Sequence, residues 1–187
     1  MHRRVSWVVC CLIVLALSLS STRQARAGQV CVSSLPRNVD AGALEHTMIE
    51  LLQRSETFQQ QCFQIAHSRV LRVKIAIVPD LLSATRAATA LERFEAGALR
   101  AEISIVFGDN YVELLGHEFE HVLEWLESVN YKDARAAGRA WLTPEGAYET
   151  RRAAAAGLQV WREFEASALE AVQPDGRKVP ARRHQFD

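Results

Sequence analysis

Leu115-Gly116-His117-Glu118-Phe119-Glu120-His121 sets two imidazoles and a carboxylate at a spacing with a specific chemical meaning. On an α-helix, residues four apart lie about 40° apart around the axis, so His117 and His121 present their rings from one face to one metal ion. Glu118 lies about 100° round from His117, beside the open coordination position, where a carboxylate acts as base to a water instead of binding the ion. Zinc with three protein ligands and one water is the catalytic arrangement of this pattern, because the ion lowers the water's pKa toward neutrality. The bland reading is a solvated helix face on which two histidines pair with neighbouring glutamates, such as Glu113 and Glu124.

A third ligand is required. In the metzincin pattern a Gly and a further His follow the motif, but Glu124 and Glu127 occupy those positions here, which excludes that family. Asp133, about a dozen residues downstream of the motif, is one candidate. Glu149, near the start of the next expected helix, is the favoured one. Two packed helices lie about 8–10 Å apart, so a carboxylate on one can cross to a metal held by the other. The run Ala153-Ala154-Ala155-Ala156-Gly157 permits such an approach, although alanines also serve plain helix propensity, and Glu149 can be read as an ordinary surface carboxylate.

Gly116-His117-Glu118-Phe119-Glu120-His121, followed later by Tyr148-Glu149-Thr150-Arg151-Arg152-Ala153, resembles the gluzincin-type zincins, and most closely small secreted bacterial metallopeptidases with a later Glu-Thr segment. The resemblance spans about residues 100 to 165. It implies a zincin-like fold, zinc at His117, His121 and Glu149, and hydrolysis of peptide bonds with Glu118 as general base. The chain departs from the gluzincin signature in that Tyr148 precedes Glu149 and Ala153 stands where an Asp supports a ligand histidine. Glu113 or Glu124 is a substitute for that Asp.

The elements that must position these residues follow from periodicity. Asp40 caps a helix through Leu44, Met48, Leu51 and Leu52; Ser55 interrupts it, and Phe58, Cys62, Ile65 and Ala66 mark a second helical face. Val70–Val78 alternates and reads as a strand, with Leu71, Val73, Ile75 and Ile77 on one face and Pro79 ending it. Residues 80–98 are ambiguous, with Thr85–Phe94 either a short helix or part of a long hairpin. Ala101–Phe107 reads as a second strand, followed by a helix over Tyr111–Val129 that carries the motif. Thr143-Pro144-Glu145 has the form of a helix start, with Thr143 as N-cap, and that helix runs to about Leu169. The order predicts an α+β fold, zincin-like, with N-terminal helices, a small β-sheet, the motif helix and a C-terminal helix carrying the third ligand.

Residues 1–27 read as a signal peptide, with Arg3 and Arg4 before an apolar run over Val5–Leu19 and a small-x-small site at Ala25-Arg26-Ala27. The run is about 15 residues, short for a membrane span, so no stable membrane anchor is expected after cleavage. The location expected is secreted or periplasmic, and residues 28–187 form a single domain with a mobile tail from about 174. Loss of four arginines with the leader leaves 18 basic residues against 22 acidic ones, a net charge near −4 that argues against nucleic-acid binding. Cys31 and Cys62 then remain as an even pair in an oxidising compartment and are expected to form a disulfide.

The function expected is a zinc-dependent peptidase acting on peptide or protein. Zinc and Glu118 activate a water, and Glu118 returns its proton to the leaving amine. Tyr148, Tyr131 and His184 are candidate oxyanion donors, His184 lying in the tail; His46 and His67 are structural or exposed. The alternatives are a zincin-like secreted domain that binds zinc without effective hydrolysis, and a helical envelope protein whose motif is accidental. The short chain and the lack of a visible propeptide fit the first of these.

Overall fold

The computed structural model describes residues 34–81, 85–108 and 110–171. The expected signal peptide, Cys31 of the expected disulfide, and the tail with His184 lie outside the described residues. Cys62 is buried, and burial pushes its thiol up to about 12.

The chain begins with a two-residue strand β1 (Val39–Asp40) and a short 3-10 turn, followed by helices α1 (Glu45–Arg54) and α2 (Glu56–His67). Strands β2 (Leu71–Val78), β3 (Ala87–Arg93) and β4 (Leu99–Val106) follow, then α3 (Tyr111–Leu126) and the short α4 (Tyr131–Ala136). A hairpin of β5 (Ala140–Leu142) and β6 (Tyr148–Thr150) leads into α5 (Arg151–Ala171). The main sheet has the order β1-β2-β4-β3; β1 and β4 run parallel to β2, and β3 is antiparallel to β4 at the edge. The class is mixed α+β, as expected from the order of elements.

Alternation in the strands decides where the core sits. Leu71, Val73 and Ile75 of β2 and Leu99, Ala101, Ile103 and Ile105 of β4 are buried on one face, while Arg72 and Lys74 are exposed on the other. The buried face meets Met48 and Leu51 of α1, Phe58 and Ile65 of α2, Leu115, Phe119 and Val122 of α3, and Val160 of α5. Phe58 and Phe119 touch with ring centroids 5.1 Å apart.

Three expectations change. Residues 87–93 are a strand, so the hairpin alternative holds and the short helix does not; three of its first four residues are alanine, which favours a helix if anything, and pairing with β4 overrides that local preference. The motif helix ends at Leu126, not Val129. Ser128 takes a positive φ of 58°, and Val129 N donates to Glu124 O at 2.9 Å, a C-terminal cap that turns the chain out of the helix. Thr143-Pro144-Glu145 starts no helix: Gly146 has φ +86°, its N–H donates to Thr143 O, and Thr143 N donates to Ala147 O, forming the turn of the β5–β6 hairpin. The same Thr-Pro signal serves either element, and Gly146 in the left-handed region selects the turn.

Ser55 does interrupt the first helical stretch, and the reason is visible. It ends α1 in extended backbone and caps α2, its Oγ accepting from Phe58 N at 3.0 Å. The hydroxyl donates to Glu163 of α5 at 2.6 Å, and Glu163 also accepts from Thr57 N and Thr57 Oγ1. Burial pushes the Glu163 carboxyl up, but the hydrogen bonds from Ser55, Gln159 and Thr57 outweigh it and hold the group below its usual range. A carboxyl lowered in the folded state stabilises the fold above its unfolded pKa of 4.5, and that contribution is lost as pH falls through the lowered value. Glu163→Gln, which turns a donor toward these donors, is expected to lower stability by about 1–2 kcal/mol at pH 7, given partial exposure. Thermal unfolding at a series of pH values tests this, since the gap from wild type must narrow as pH falls through the lowered pKa of the folded state.

Candidate metal centre

The centre is assembled from two elements. His117 and His121 project from α3, and Glu149 reaches them from β6, not from the C-terminal helix expected to carry it, because the hairpin turn at Gly146 delays the helix start to Arg151. Nε2 of His117 lies 3.1 Å from Nε2 of His121, and Oε2 of Glu149 lies 3.0 Å from the first and 3.5 Å from the second. Donors about 2.0–2.1 Å from a tetrahedral zinc stand about 3.3 Å from one another. The donor set and its spacing therefore fit a metal ion of that kind, and these three residues form a group that could hold one. Asp133 is not part of it: it is exposed on α4, and its backbone N–H bonds to Asn130 Oδ1 at the start of that helix.

Glu149 stands just before α5, and α5 packs unusually close to α3. A Cβ on Gly116 would stand 2.7 Å from Val160 Cγ2, and one on Gly157 would stand 2.7 Å from Glu113 O and 3.0 Å from His117 Cβ. Of the small-residue run, only Ala153 and Gly157 are buried, so the approach depends on one stripe of α5 and not on the alanines in general. Gly157→Ala pits a gain in helix propensity of about 0.5–1 kcal/mol against overpacking that costs about 1–3 kcal/mol. The obstacle is a backbone carbonyl that moves only with α3. A net fall in the thermal midpoint is expected; an unchanged or raised midpoint would show that the crossing has slack.

Opposite the apolar stripe, the face of α3 is not solvated, which removes the reading of histidines on a wet helix. Glu118, Glu120, His121 and Glu124 are all buried. Glu118 is 4% exposed and its Oε2 accepts the hydroxyl of Thr89, on β3, at 2.6 Å. Burial pushes its carboxyl up, against the lowering influence of Thr89, His117 and His121. Glu120 accepts from Gln61 Nε2 of α2 and from Arg152, whose guanidinium also forks onto Glu127. This clamp holds the first turn of α5 against α3.

Glu124 takes the supporting position beside the second histidine. Its Oε2 lies 3.0 Å from His121 Nδ1, and its Oε1 accepts from Thr150 Oγ1 at 2.7 Å. Glu113, the other candidate for that role, instead accepts from Asn110 Nδ2. Burial favours neutral His121, but hydrogen bonds to Glu124 and Glu149 and the charge of Glu118 reverse this and raise the imidazole to about 10. Glu149 is correspondingly held down: burial raises it, and the two histidines outweigh that and bring it to about 2. The carboxylates that favour a proton on His121 provide the negative field a divalent cation needs.

Glu118, His121 and Glu149 line one side of a cavity of about 450 Å³, with Thr89, Leu91 and Tyr131 among its other walls. Tyr131 stacks on Tyr148 with centroids 5.4 Å apart, and burial, helped by Glu124, pushes its phenol up to about 12. Of the remaining histidines, His46 pairs with Glu50 on the surface and His67 packs on Phe63. Thr89 and Thr150 escaped the sequence reading; a Thr before a helical run is a cap signal, which marks Thr150, whereas no local pattern marks Thr89.

No protein-family model, curated protein or solved structure matches this chain, so its function is argued from the site itself.

Proposed function

We propose that this chain is a zinc-dependent metallopeptidase of zincin-like fold, acting outside the cytoplasm on peptides or proteins. The observation that carries the reading is the His117–His121–Glu149 triad, at tetrahedral ligand spacing, beside a buried carboxylate that faces the same cavity. Zinc held by those three residues supplies Lewis acidity and brings a water's pKa toward neutrality. Glu118 acts as general base. Its enclosure raises the carboxyl toward the working range, and it takes the proton from water and delivers it to the leaving amine. Thr89 fixes which oxygen of Glu118 is held and leaves the other to do this work.

The cavity has the size of a small-ligand site, and Ala87, Leu91, Tyr131, Ala147 and Tyr148 make much of its lining apolar. It suits an apolar side chain of an extended peptide. The stacked tyrosines stand at that wall, with Tyr148 next to Glu149 in sequence. The experiment that tests the reading is digestion of a peptide mixture by the zinc-loaded chain, read by mass spectrometry. Cleavage should stop on chelation, return with zinc, and be absent in Glu118→Gln. Zinc binding with no cleavage of any peptide would leave a zinc-binding domain without hydrolysis.

A further inference from the structure

Two of the three ligands are joined by a buried polar chain. Glu124 is 2% exposed and divides its oxygens between two partners, His121 Nδ1 on its own helix and the Thr150 hydroxyl at the end of β6. Thr150 follows Glu149 directly, and its Oγ1 accepts from Ala153 N at 2.9 Å, capping α5. A hydroxyl has one hydrogen, and an ionised carboxylate only accepts, so every direction in the chain is set. Thr150 donates to Glu124 and accepts from Ala153, and His121 donates from Nδ1. Nε2 of His121 is thereby the atom turned to Glu149 and His117.

We infer that Glu124 and Thr150 are positioning residues that orient His121 and the Glu149 carboxylate as one unit, so that metal affinity depends on the start of α5. This rests on the metal-binding reading above. A cap alone does not require the arrangement. Ser, Asp or Asn caps a helix as well as Thr does, and capping uses only the acceptor side of the hydroxyl. Here the donor side is spent on a buried carboxylate of another helix, 26 residues away, which is itself spent on a ligand histidine. The Ser55–Glu163 pair offers an internal control, since it repeats the cap-to-carboxylate bond without a histidine.

Cobalt(II) in place of zinc gives a visible spectrum that reports ligand geometry, and competition with a chelator gives the affinity. Thr150→Ser should match wild type in both. Thr150→Ala should bind about 10–100-fold more weakly, the usual scale for losing a group that supports a ligand, with a shifted cobalt spectrum. Glu163→Gln should lower stability alone. Glu124→Gln should act like Thr150→Ala and serves where that variant does not fold. Combining Glu124→Gln with Thr150→Ala should add little to either, because both break one chain. If Thr150→Ala and Glu124→Gln lower the melting temperature but leave spectrum and affinity as in wild type, the hydroxyl is only a cap and the inference is overturned. A wild-type chain that binds neither cobalt nor zinc removes the metal-binding reading and this inference together.

Discussion

Glu149→Ala is expected to weaken zinc binding by about 10²–10³-fold, while Asp133→Ala leaves it unchanged. The argument rests on ligand count. Zinc bound by a full set of protein ligands gains on the order of 10–16 kcal/mol, so each ligand carries about 3–4 kcal/mol, or two to three decades in affinity. Glu149 Oε2 stands within 3.5 Å of both imidazole nitrogens, and its carboxyl is already ionised far below neutral pH, so no proton competes for it. Asp133 has the right chemistry and sequence distance but sits exposed on another helix. Metal content by mass spectrometry at graded chelator concentration measures both variants against wild type, for which about one zinc per chain is expected. Equal losses in the two variants would mean that the triad is not the ligand set. A wild-type chain without zinc, even after reconstitution, would end the metallopeptidase reading.

The second large effect is on chemistry with binding intact. Glu118→Gln is expected to retain zinc at wild-type affinity and to lose peptide hydrolysis by about 10²–10⁴-fold, the contribution of a positioned general base. Gln keeps the size of the side chain, and its carbonyl can still accept the Thr89 hydroxyl, so the cavity should keep its shape. The two measurements separate the roles: Glu118 is no ligand if metal content holds, and it is the base if turnover falls. Cleavage at the wild-type rate by Glu118→Gln would remove it from the mechanism.

Much of the fold was legible because its signals are local. The alternation in Val70–Val78 and Ala101–Phe107 shows which strand face is apolar, and the two strands pair along their length. The break at Ser55 is a cap, readable from its residue type between two helical patterns. Reading failed where a local signal has two meanings. Thr143-Pro144-Glu145 suits a helix start and a tight turn equally, and Gly146 had to be weighed to choose. The alanines of β3 lean toward a helix, so the edge strand that supplies Thr89 exists because β4 offers a partner that overrides them.

The sequence by itself determined the α3 half of the site. His117, Glu118 and His121 lie within one turn, so helix geometry alone puts both imidazoles on one face and the carboxylate beside them. It also narrowed the third ligand to two acids and marked Glu124 as one of two supports for a histidine. Only the tertiary structure decided between them. Glu149 meets the imidazoles from β6, which leads directly into a helix that Gly116 and Gly157 let pack closely on α3, whereas Asp133 is exposed on α4 and outside the group. Thr89 and Thr150 reach Glu118 and Glu124 across 29 and 26 residues. Periodicity reports neighbours within a few residues, whereas contacts of that range depend on how whole elements pack, and no local pattern of residues records that.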